Sequence, residues 1–485
     1  MDTDRLPLEL NLQNELDKLQ PKTKTSRKLR SKSTSTSAQK TIDLEGMIEV
    51  EPILDPPPTE PPLYPKNEHI TPTATSAPMV SSLRAQLRKD QWGQDASGLA
   101  YFLHQSKAKP SNIIEHYITS PGDISLLPWE EALQIIDKFG LITAKLHLIF
   151  AAHTMRQEKP WESLFILKIS DLIQEIGWDK NHTEPAYEKQ KRMAMAAFAL
   201  DCLTIQATWV EGRHRKGGIL ASVETSRLWN VKVQLIGQQN LEGKIEQPEE
   251  GYITVRPGLW TDSFLNKAGS KAREALYQFG YLAQDILKID PYHDELALRL
   301  GLHLTVESRF HTSGTYKVQT LLEALLPQTM INEARKDYDK ARKLINRWNH
   351  ALEVLMGLER AFQIEFDSQT YPDSLRPSSN ARKPRGYFEQ LLAAKITIHP
   401  PAPIPELLAT KTEPKPIQPK LMPSQSRCNS LTGTQIRQFR QERGWSQVKL
   451  AGWLGVTQAF ISNVEKGNRT LSPEMEAKLR KMLDI

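Results

Sequence analysis

The last 55 residues of the chain concentrate side chains that can neutralise phosphate. Residues 431–485 hold nine Lys and Arg against five Asp and Glu, which gives +4, whereas the whole chain of 485 residues carries +6. Lys and Arg that contact DNA phosphates release bound counterions, so a local excess of positive charge is a better pointer to nucleic acid than a chain-wide average. This stretch is the first candidate for binding a polyanion.

Groups suited to catalysis or metal binding are sparse. The sequence has no Gly-rich loop ending in Gly-Lys-Ser/Thr and no His-Glu-x-x-His, which disfavours a P-loop ATPase and that class of zinc enzyme. Asp290, His293, Asp294 and Glu295 could ligate a metal, but Asp290-Pro291 more often begins a turn, with the acids at the start of a helix. We expect no catalytic residue, no metal site and no cofactor.

The elements that must position the basic residues are well marked in sequence. Thr432 or Thr434, Ser446 and Thr457 are suited to cap helices, and Gly444, Gly455 and Gly467 are suited to end them. Apolar residues recur at helical spacing between these signals, and Pro473 can open a further helix. The pattern predicts a five-helix domain of about 55 residues within 427–485.

This stretch resembles the Cro/C1-type helix-turn-helix family. The matching features are Ser446-Gln447, Leu450-Ala451, Leu454-Gly455-Val456, Ile461-Ser462 and Glu465-Lys466-Gly467. In that family the third helix enters the major groove of DNA. The resemblance therefore implies base-facing positions at Gln458, Ala459 and Asn463. A glutamine can pair with adenine through two hydrogen bonds, and an alanine can contact a thymine methyl.

The same resemblance implies contacts to the DNA backbone. Gln447 matches the phosphate-contacting position of the family and could also brace Gln458. The remaining candidates for phosphate contact are Arg437, Arg440, Lys449, Asn468 and Arg469. Phe460 departs from the family pattern, which has a small or polar residue there more often; it would pack against the domain or wedge at the groove. The alternative is that the unit binds protein or dimerises.

Two stretches of the chain predict tethers. Residues 18–40 hold eight Lys and Arg and no acid, residues 41–60 hold six acids and no Lys or Arg, and prolines cluster in 51–80 and 400–423. Such composition does not bury enough apolar surface to offset the entropy of ordering. We expect residues 1–80 to be disordered and 399–426 to be a Pro-rich linker. The basic block is either a solvated tail or an arm that adds phosphate contacts.

The middle of the chain predicts two winged-helix domains, at 125–260 and 261–395. The first follows the order of a winged helix: helical periodicity over 141–152, a strand at 165–169, helices at 170–176 and 187–200, and a hairpin at 203–223. In the second, helices are expected at 270–287, 294–308, 316–325 and 329–359, followed by a strand at 362–366 and a basic loop at 371–386.

This two-block pattern resembles the paired winged-helix architecture of plasmid-type replication initiators. The resemblance places Tyr187, Glu188, Lys189, Lys191 and Arg192 on a groove-facing helix. It makes a phosphate-contacting wing of Arg213, His214, Arg215 and Lys216, and the basic loop adds Arg382, Lys383 and Arg385. The alternative is an ordinary solvated helix face and an exposed hairpin.

Together these features predict a mainly α protein with small β-hairpins: a disordered tail, a tandem winged-helix middle and a C-terminal helix-turn-helix domain. Without an apolar signal segment or a sufficiently long apolar helix, we expect a cytoplasmic protein that does not bind membranes. The leading hypothesis is a non-catalytic protein that binds double-stranded DNA, could form a homodimer, and acts as replication initiator or transcriptional regulator. The alternatives are a DNA-targeted nuclease and an adaptor whose middle region binds a protein partner.

Overall fold

The computed structural model describes residues 56–483, apart from 107, 181–182, 212–217, 241–244, 308–312, 380, 382, 413–430, 468, 470 and 472. The chain divides into two compact units, one ending at Leu408 and the other beginning at Ala409. Within the described ranges, none of the helices has the length and apolar character needed to cross a membrane.

The first unit mixes helices and strands. Its first half contains β1 (Ile70–Ala74), α1 (Ala77–Leu87), β2 (Gly93–Gln94), β3 (Ala100–Gln105), β4 (Ile113–Tyr117), α2 (Trp129–Ile136), α3 (Leu141–Arg156), β5 (Phe165–Lys168), α4 (Ile169–Glu175), α5 (Ala186–Asp201), β6 (Thr204–Glu211), β7 (Ile219–Arg227), β8 (Trp229–Gln239) and β9 (Ile245–Pro257). Its second half contains α6 (Trp260–Phe264), α7 (Lys267–Ala272), β10 (Phe279–Ala283), α8 (Gln284–Lys288), α9 (Glu295–Glu307), β11 (Thr315–Lys317), α10 (Val318–Leu325), α11 (Gln328–Lys336), α12 (Tyr338–Gly357), β12 (Gln363–Phe366), α13 (Tyr387–Ala393), β13 (Lys395–His399) and α14 (Ile404–Thr412).

The first winged helix is present, in the order α3, β5, α4, α5, β8, β9. Strand β9 pairs antiparallel with both β5 and β8, which gives the sheet order β5-β9-β8. Helix α3 is apolar on most sides and is buried from Thr143 to Thr154, as expected for a helix at the centre of a core. Trp229, at the start of β8, packs edge-on against Phe150 of α3.

The sequence analysis placed the wing of this motif in the wrong hairpin, at 203–223. Strands β6 and β7 do pair antiparallel, as predicted, but β6 also pairs with β4, so the hairpin belongs to a five-stranded sheet of order β2-β3-β4-β6-β7. The hairpin of the winged-helix sheet is β8–β9. Local sequence identifies a hairpin but not the sheet it joins, because that choice depends on β4, which lies nearly ninety residues earlier.

The second winged helix follows the order α9, β11, α10, α11 with α12, β12, β13. Strand β13 pairs antiparallel with both β11 and β12. The single helix predicted over 329–359 is interrupted at Asp337, whose carboxylate accepts hydrogen bonds from the amides of Asp339 and Lys340 and so caps α12. The helix predicted over 270–287 is also wrong: α7 ends at Ala272, and β10 occupies Phe279–Ala283.

The expected disorder of residues 1–80 is wrong for 56–80, and residues 1–55 lie outside the described part. Strand β1 pairs antiparallel with β10, and Leu63 is buried. The Arg156 guanidinium donates to the carbonyl oxygens of Pro61, Pro62 and Leu63 at 3.0, 3.1 and 2.8 Å. Proline carbonyls remain good acceptors, so a proline-rich stretch of low apolar content is held by one arginine and a distant strand.

The Pro-rich linker expected at 399–426 is also partly ordered. Residue 399 ends β13, and α14 covers Ile404–Thr412, with Ile404 buried in the core of the first unit. Apolar residues of both winged-helix motifs belong to this same continuous core. Residues 413–426 of the expected linker lie outside the described residues.

The second unit has its own core. It contains α15 (Gly433–Glu442), α16 (Gln447–Leu454), α17 (Gln458–Glu465) and α18 (Pro473–Leu483), so the described residues show four helices where five were expected. Its buried apolar residues are Ile436, Leu450, Ala451, Leu454, Ile461, Val464 and Leu479. The predicted caps at Thr432, Ser446 and Thr457 each accept a backbone amide hydrogen bond. Gly455 has a φ of 72°, which favours glycine where α16 turns into α17.

Candidate DNA-binding surface

The three predicted base-facing residues lie on α17 and are exposed. Ile461 and Val464 fix this helix in the core, which leaves Gln458, Ala459 and Asn463 facing solvent. Thr457 caps the helix by accepting from the Phe460 amide, so Gln458 occupies the first helical position. The N-terminal end of a helix also carries partial positive charge, which favours an approaching phosphate.

A chain of hydrogen bonds runs from the core of this unit to Gln458. The Arg440 guanidinium donates to both carboxylate oxygens of Glu465, at 2.5 and 3.0 Å. Gln447 Nε2 donates to Glu465 Oε2 at 2.9 Å, and Gln458 Nε2 donates to Gln447 Oε1 at 3.2 Å. These four side chains, which we call the relay, therefore tie an exposed amide to a buried carboxylate, and the expected bracing of Gln458 by Gln447 is present.

Glu465 is the buried centre of the relay. Its side chain is 3% exposed, and that of Arg440 is 12% exposed. Burial alone would raise the pKa of Glu465, but the hydrogen bonds from Arg440 and Gln447 outweigh it and hold the pKa below its ordinary value. Arg440 was predicted to contact phosphate; the structure instead directs its guanidinium inward, to Glu465 and to the carbonyl of Trp445 at 2.8 Å.

Three other predicted phosphate contacts, Arg437, Lys449 and Arg469, are exposed, whereas Gln447 is half-buried and uses its side-chain amide in the relay. Arg437 and Lys449 are exposed on α15 and α16, and the Lys449 ammonium lies 5.1 Å from the centre of the Trp453 ring. The Arg469 guanidinium lies 5.6 Å from the centre of the Phe460 ring. Phe460 packs against the core of this unit, which is the first of its two expected roles. Asn468 lies outside the described residues.

A match to a known domain family agrees with this geometry. Residues 432–484 match a family described as "Helix-turn-helix domain". The C-terminal unit is a helix-turn-helix domain. A solved structure, described as the crystal structure of selenomethionine derivatives of domains 2 and 3 of RctB, aligns with 66% of this chain and 98% of that chain, at 12% sequence identity and a TM-score of 0.31. That score is too low to argue a shared fold. No curated protein matches the chain.

Outside the helix-turn-helix domain, the basic face predicted on α5 is not assembled. Lys189 is buried, which contradicts its assignment to a groove-facing surface. Lys191 is half-buried, with its ammonium 5.9 Å from the Tyr187 ring centre. Arg192 is exposed but donates to Glu184 at 2.9 Å and to the hydroxyl of Tyr292. The predicted wing residues Arg213, Arg215 and Lys216 lie outside the described part of the chain.

The second winged helix carries a basic surface that sequence reasoning found only in part. Lys383 and Arg385 lie between β12 and β13, and Lys383 Nζ donates to Asn346 Oδ1 of α12 at 3.3 Å. Burial lowers the pKa of Lys383, and the nearby Arg342 guanidinium lowers it further. Arg382 lies outside the described residues. The structure adds an exposed set on α11 and α12 that the sequence analysis missed: Lys336, Lys340, Arg342 and Lys343.

The missed set had a readable signal. Lys340 and Lys343 are three residues apart, which places them on one face of α12, and Lys336 ends α11 immediately before the break at Asp337. The interspersed Asp337 and Asp339 obscured the signal, since Asp337 caps α12 and Asp339 pairs with Arg342 at 3.3 Å.

The acidic cluster at Asp290 has the structural role that its sequence suggested. Asp290 Oδ1 accepts hydrogen bonds from the amides of Tyr292 and His293, at 2.7 and 2.9 Å, immediately before α9. Among the residues that the structure describes, no group of three or more His, Cys, Asp or Glu is arranged to hold a metal ion.

Proposed function

We propose that this protein binds double-stranded DNA in a sequence-specific manner through α17 and acts by binding rather than by catalysis. The observation that carries the proposal is the relay, because it holds the amide of Gln458 in one orientation at the exposed end of a helix. A pre-oriented amide loses less conformational entropy on pairing with a base than a free side chain does.

The relay leaves the right atoms for adenine. Gln458 uses one N–H of its amide to donate to Gln447. The second N–H and the carbonyl oxygen are then available to adenine N7 and N6, which is the paired contact that glutamine makes in the major groove. Ala459 would contact a thymine methyl, and Asn463 would face a base one turn along the helix. Arg437, Lys449 and Arg469 would contact phosphates on either side.

Replacing Gln458 by alanine is expected to cost about 1–3 kcal/mol on the preferred site and to relax the preference at one base pair. The measurement is binding of full-length protein to a selected site and to each of its single-base variants. Gln441→Ala is the matched control, since Gln441 is an exposed glutamine on α15 outside the relay. An unchanged base preference in the Gln458→Ala protein would contradict base reading by this residue.

The basic surface of α11 and α12 supports a second, sequence-independent interaction with DNA. Replacing both Lys336 and Lys343 by alanine is expected to reduce the slope of log K against log salt by about 0.9 for each phosphate that is no longer neutralised, with base preference unchanged. Lys271→Ala is the control, because this exposed lysine lies on α7. If the double variant and the control have the same salt slope, this surface does not bind DNA.

Of the two biological roles, we propose replication initiation before transcriptional regulation. Two winged-helix motifs and a helix-turn-helix domain in one chain suit a long, composite site, and several modules that engage one site gain affinity through effective concentration. Footprinting on the DNA flanking its own gene distinguishes the roles. Protected direct repeats beside an A·T-rich tract favour an initiator, whereas a short palindrome over a promoter favours a regulator that binds as a homodimer.

A further inference from the structure

An exposed tyrosine lies among the basic residues of α11 and α12. Tyr338 is 65% exposed, whereas Tyr387, its neighbour in space, is buried. The two rings pack edge to face, with 5.6 Å between their centres and 84° between their planes. The Tyr387 hydroxyl also donates to the carbonyl oxygen of Tyr338 at 3.2 Å. This tyrosine pair therefore holds the ring of Tyr338 from one side and leaves much of it open to a ligand.

Two cations lie beside the tyrosine pair. The Lys383 ammonium is 5.8 Å from the centre of the Tyr387 ring. Burial lowers the pKa of Lys383, and the positive charge of Arg342 lowers it further, so these two cations are near each other. Burial raises the pKa of Tyr387 and Arg342 opposes that rise, so Arg342 is also near this ring. A ligand that covers Tyr338 would meet positive charge beside the ring.

The acids on the same surface do not cancel its positive charge. Residues 333–346 and 382–389 together hold eight Lys and Arg against four Asp and Glu, which gives +4. Each of the four acids already pairs or caps a helix: Glu333 with Lys340, Asp339 with Arg342, Glu389 with Arg335, and Asp337 at the start of α12. Exposed ion pairs are weak and are readily exchanged, so the excess charge suits a polyanion.

The exposed ring indicates which form of polyanion fits. Cations bind the phosphates of any nucleic acid, but an aromatic side chain needs the face of a base. In a duplex each base face is covered by the base pairs above and below it, whereas an unpaired base can lie on an aromatic ring. Stacking accepts every base, because every base has a π face. An exposed ring among cations therefore favours a single strand over a duplex.

We propose that Tyr338, supported by Tyr387, stacks on an unpaired base of single-stranded DNA, while Lys383 and Arg342 contact the neighbouring phosphates. This inference rests on the proposed contact of α11 and α12 with DNA, and it names the form of DNA that this surface prefers. The helix-turn-helix domain reads duplex DNA, so the two surfaces differ in the form of DNA that each one binds.

Substitutions at Tyr338 test stacking in the full-length protein. Tyr338→Leu keeps an apolar side chain without an aromatic face, and it is expected to weaken binding to a mixed-sequence single strand of ~20 nucleotides by about 5- to 150-fold. Binding to a duplex of the same sequence should not change. Tyr338→Phe keeps the aromatic face and should bind both forms as the parent does. Unchanged single-strand binding by the Leu variant, or an equal loss on the duplex, would overturn the proposal.

Photo-crosslinking identifies the ring that the base contacts. A single strand that carries 5-iodouracil is expected to become attached to Tyr338 on irradiation, as identified by mass spectrometry of the digest. Tyr292 is the internal control, because it is 57% exposed and lies outside α11, α12 and α13. Attachment to Tyr292 at the same yield, or none at Tyr338, would contradict stacking at this site. Tighter binding of an RNA strand of the same sequence would make the ligand RNA and overturn the assignment to DNA.

The Lys336→Ala, Lys343→Ala double variant separates this inference from the proposed function. If its salt slope on duplex DNA equals that of the control while Tyr338→Leu loses single-strand binding, the duplex contact fails and the stacking site stands. If the salt slope falls while Tyr338→Leu binds the single strand as the parent does, the duplex contact stands and the stacking site fails.

Discussion

Replacing Glu465 by alanine is expected to unfold the helix-turn-helix domain while the first unit stays folded. The substitution removes the carboxylate that binds Arg440 through two hydrogen bonds, and it leaves a guanidinium that is 12% exposed without its partner. Breaking a buried pair from one side costs ~3–5 kcal/mol. A domain of this size rarely has more than about 3–5 kcal/mol of stability, so one substitution is expected to remove it.

Amide hydrogen exchange in the full-length protein measures this result. Peptides from 431–483 should lose protection in the Glu465→Ala protein, whereas peptides from the first unit should keep it, because the two units have separate cores. Glu442→Ala is the matched control, since Glu442 is an exposed glutamate on α15. Retained protection over 431–483 in the Glu465→Ala protein would contradict a structural role for the pair.

A double substitution separates stability from DNA reading. Arg440→Met with Glu465→Leu replaces the pair by apolar side chains of similar size, which is often neutral or stabilising in a core. The domain is therefore expected to fold, but Gln447 loses its hydrogen bond to Glu465. Preference for the base that Gln458 reads should then fall although protection over 431–483 is kept. An intact base preference would show that the relay does not orient Gln458.

The same pair makes the domain sensitive to acid. The folded state lowers the pKa of Glu465, so the unfolded state binds a proton more readily than the folded state does. The contribution of Glu465 to stability is complete above its pKa of ~4.3 in the unfolded state. It is lost as the pH falls through the lower pKa of the folded state. The Met/Leu double variant should lack this part of the acid transition.

The helix-turn-helix domain was predictable because its signals are local. The caps at Thr432, Ser446 and Thr457 accept hydrogen bonds from amides within three residues of themselves. Gly455 is required by its own left-handed φ of 72°. The inward turn of Arg440 was not predictable, because it depends on Glu465, which lies twenty-five residues away. Surface and core arginines look alike in sequence until their partner is known.

In the middle of the chain, the positions of helices and strands were predictable but their arrangement in sheets was not. Elements such as α3, β5 and α9 could be placed from the spacing of apolar residues within each of them, because that spacing is a local property. Sheet membership could not, because β6 joins β4 and β10 joins β1 across long separations. Residues 56–80 were mistaken for a tether for the same reason: their order comes from β10 and from Arg156, not from their own composition.

A lysine in the centre of the first unit supports a second large prediction. Lys145 lies on α3 and is 1% exposed, and its ammonium donates to the carbonyl oxygen of Ile289 at 2.8 Å. Burial lowers its pKa from 10.5 to about 7, although the nearby Asp290 carboxylate raises it in part. Between these two pH values the unfolded chain binds one proton more than the folded chain, so the stability of this unit should rise with pH.

Lys145→Met is therefore expected to stabilise the first unit, by about 3 kcal/mol at pH 7, after allowance of ~1 kcal/mol for the missing hydrogen bond. The gain should shrink by ~1.4 kcal/mol for each pH unit and vanish near pH 9–10. The unfolded chain is favoured because its lysine keeps a proton that the folded chain releases, and this advantage disappears as the pH approaches the pKa of the unfolded lysine. Urea unfolding of the full-length protein at pH 7, 8 and 9 measures this slope. Lys138→Met is the control, because Lys138 is exposed and its replacement should change stability by the same amount at each pH. A Lys145→Met protein that is less stable than the parent at pH 7, or a difference that does not change with pH, would show that Lys145 is charged and well solvated in the folded state.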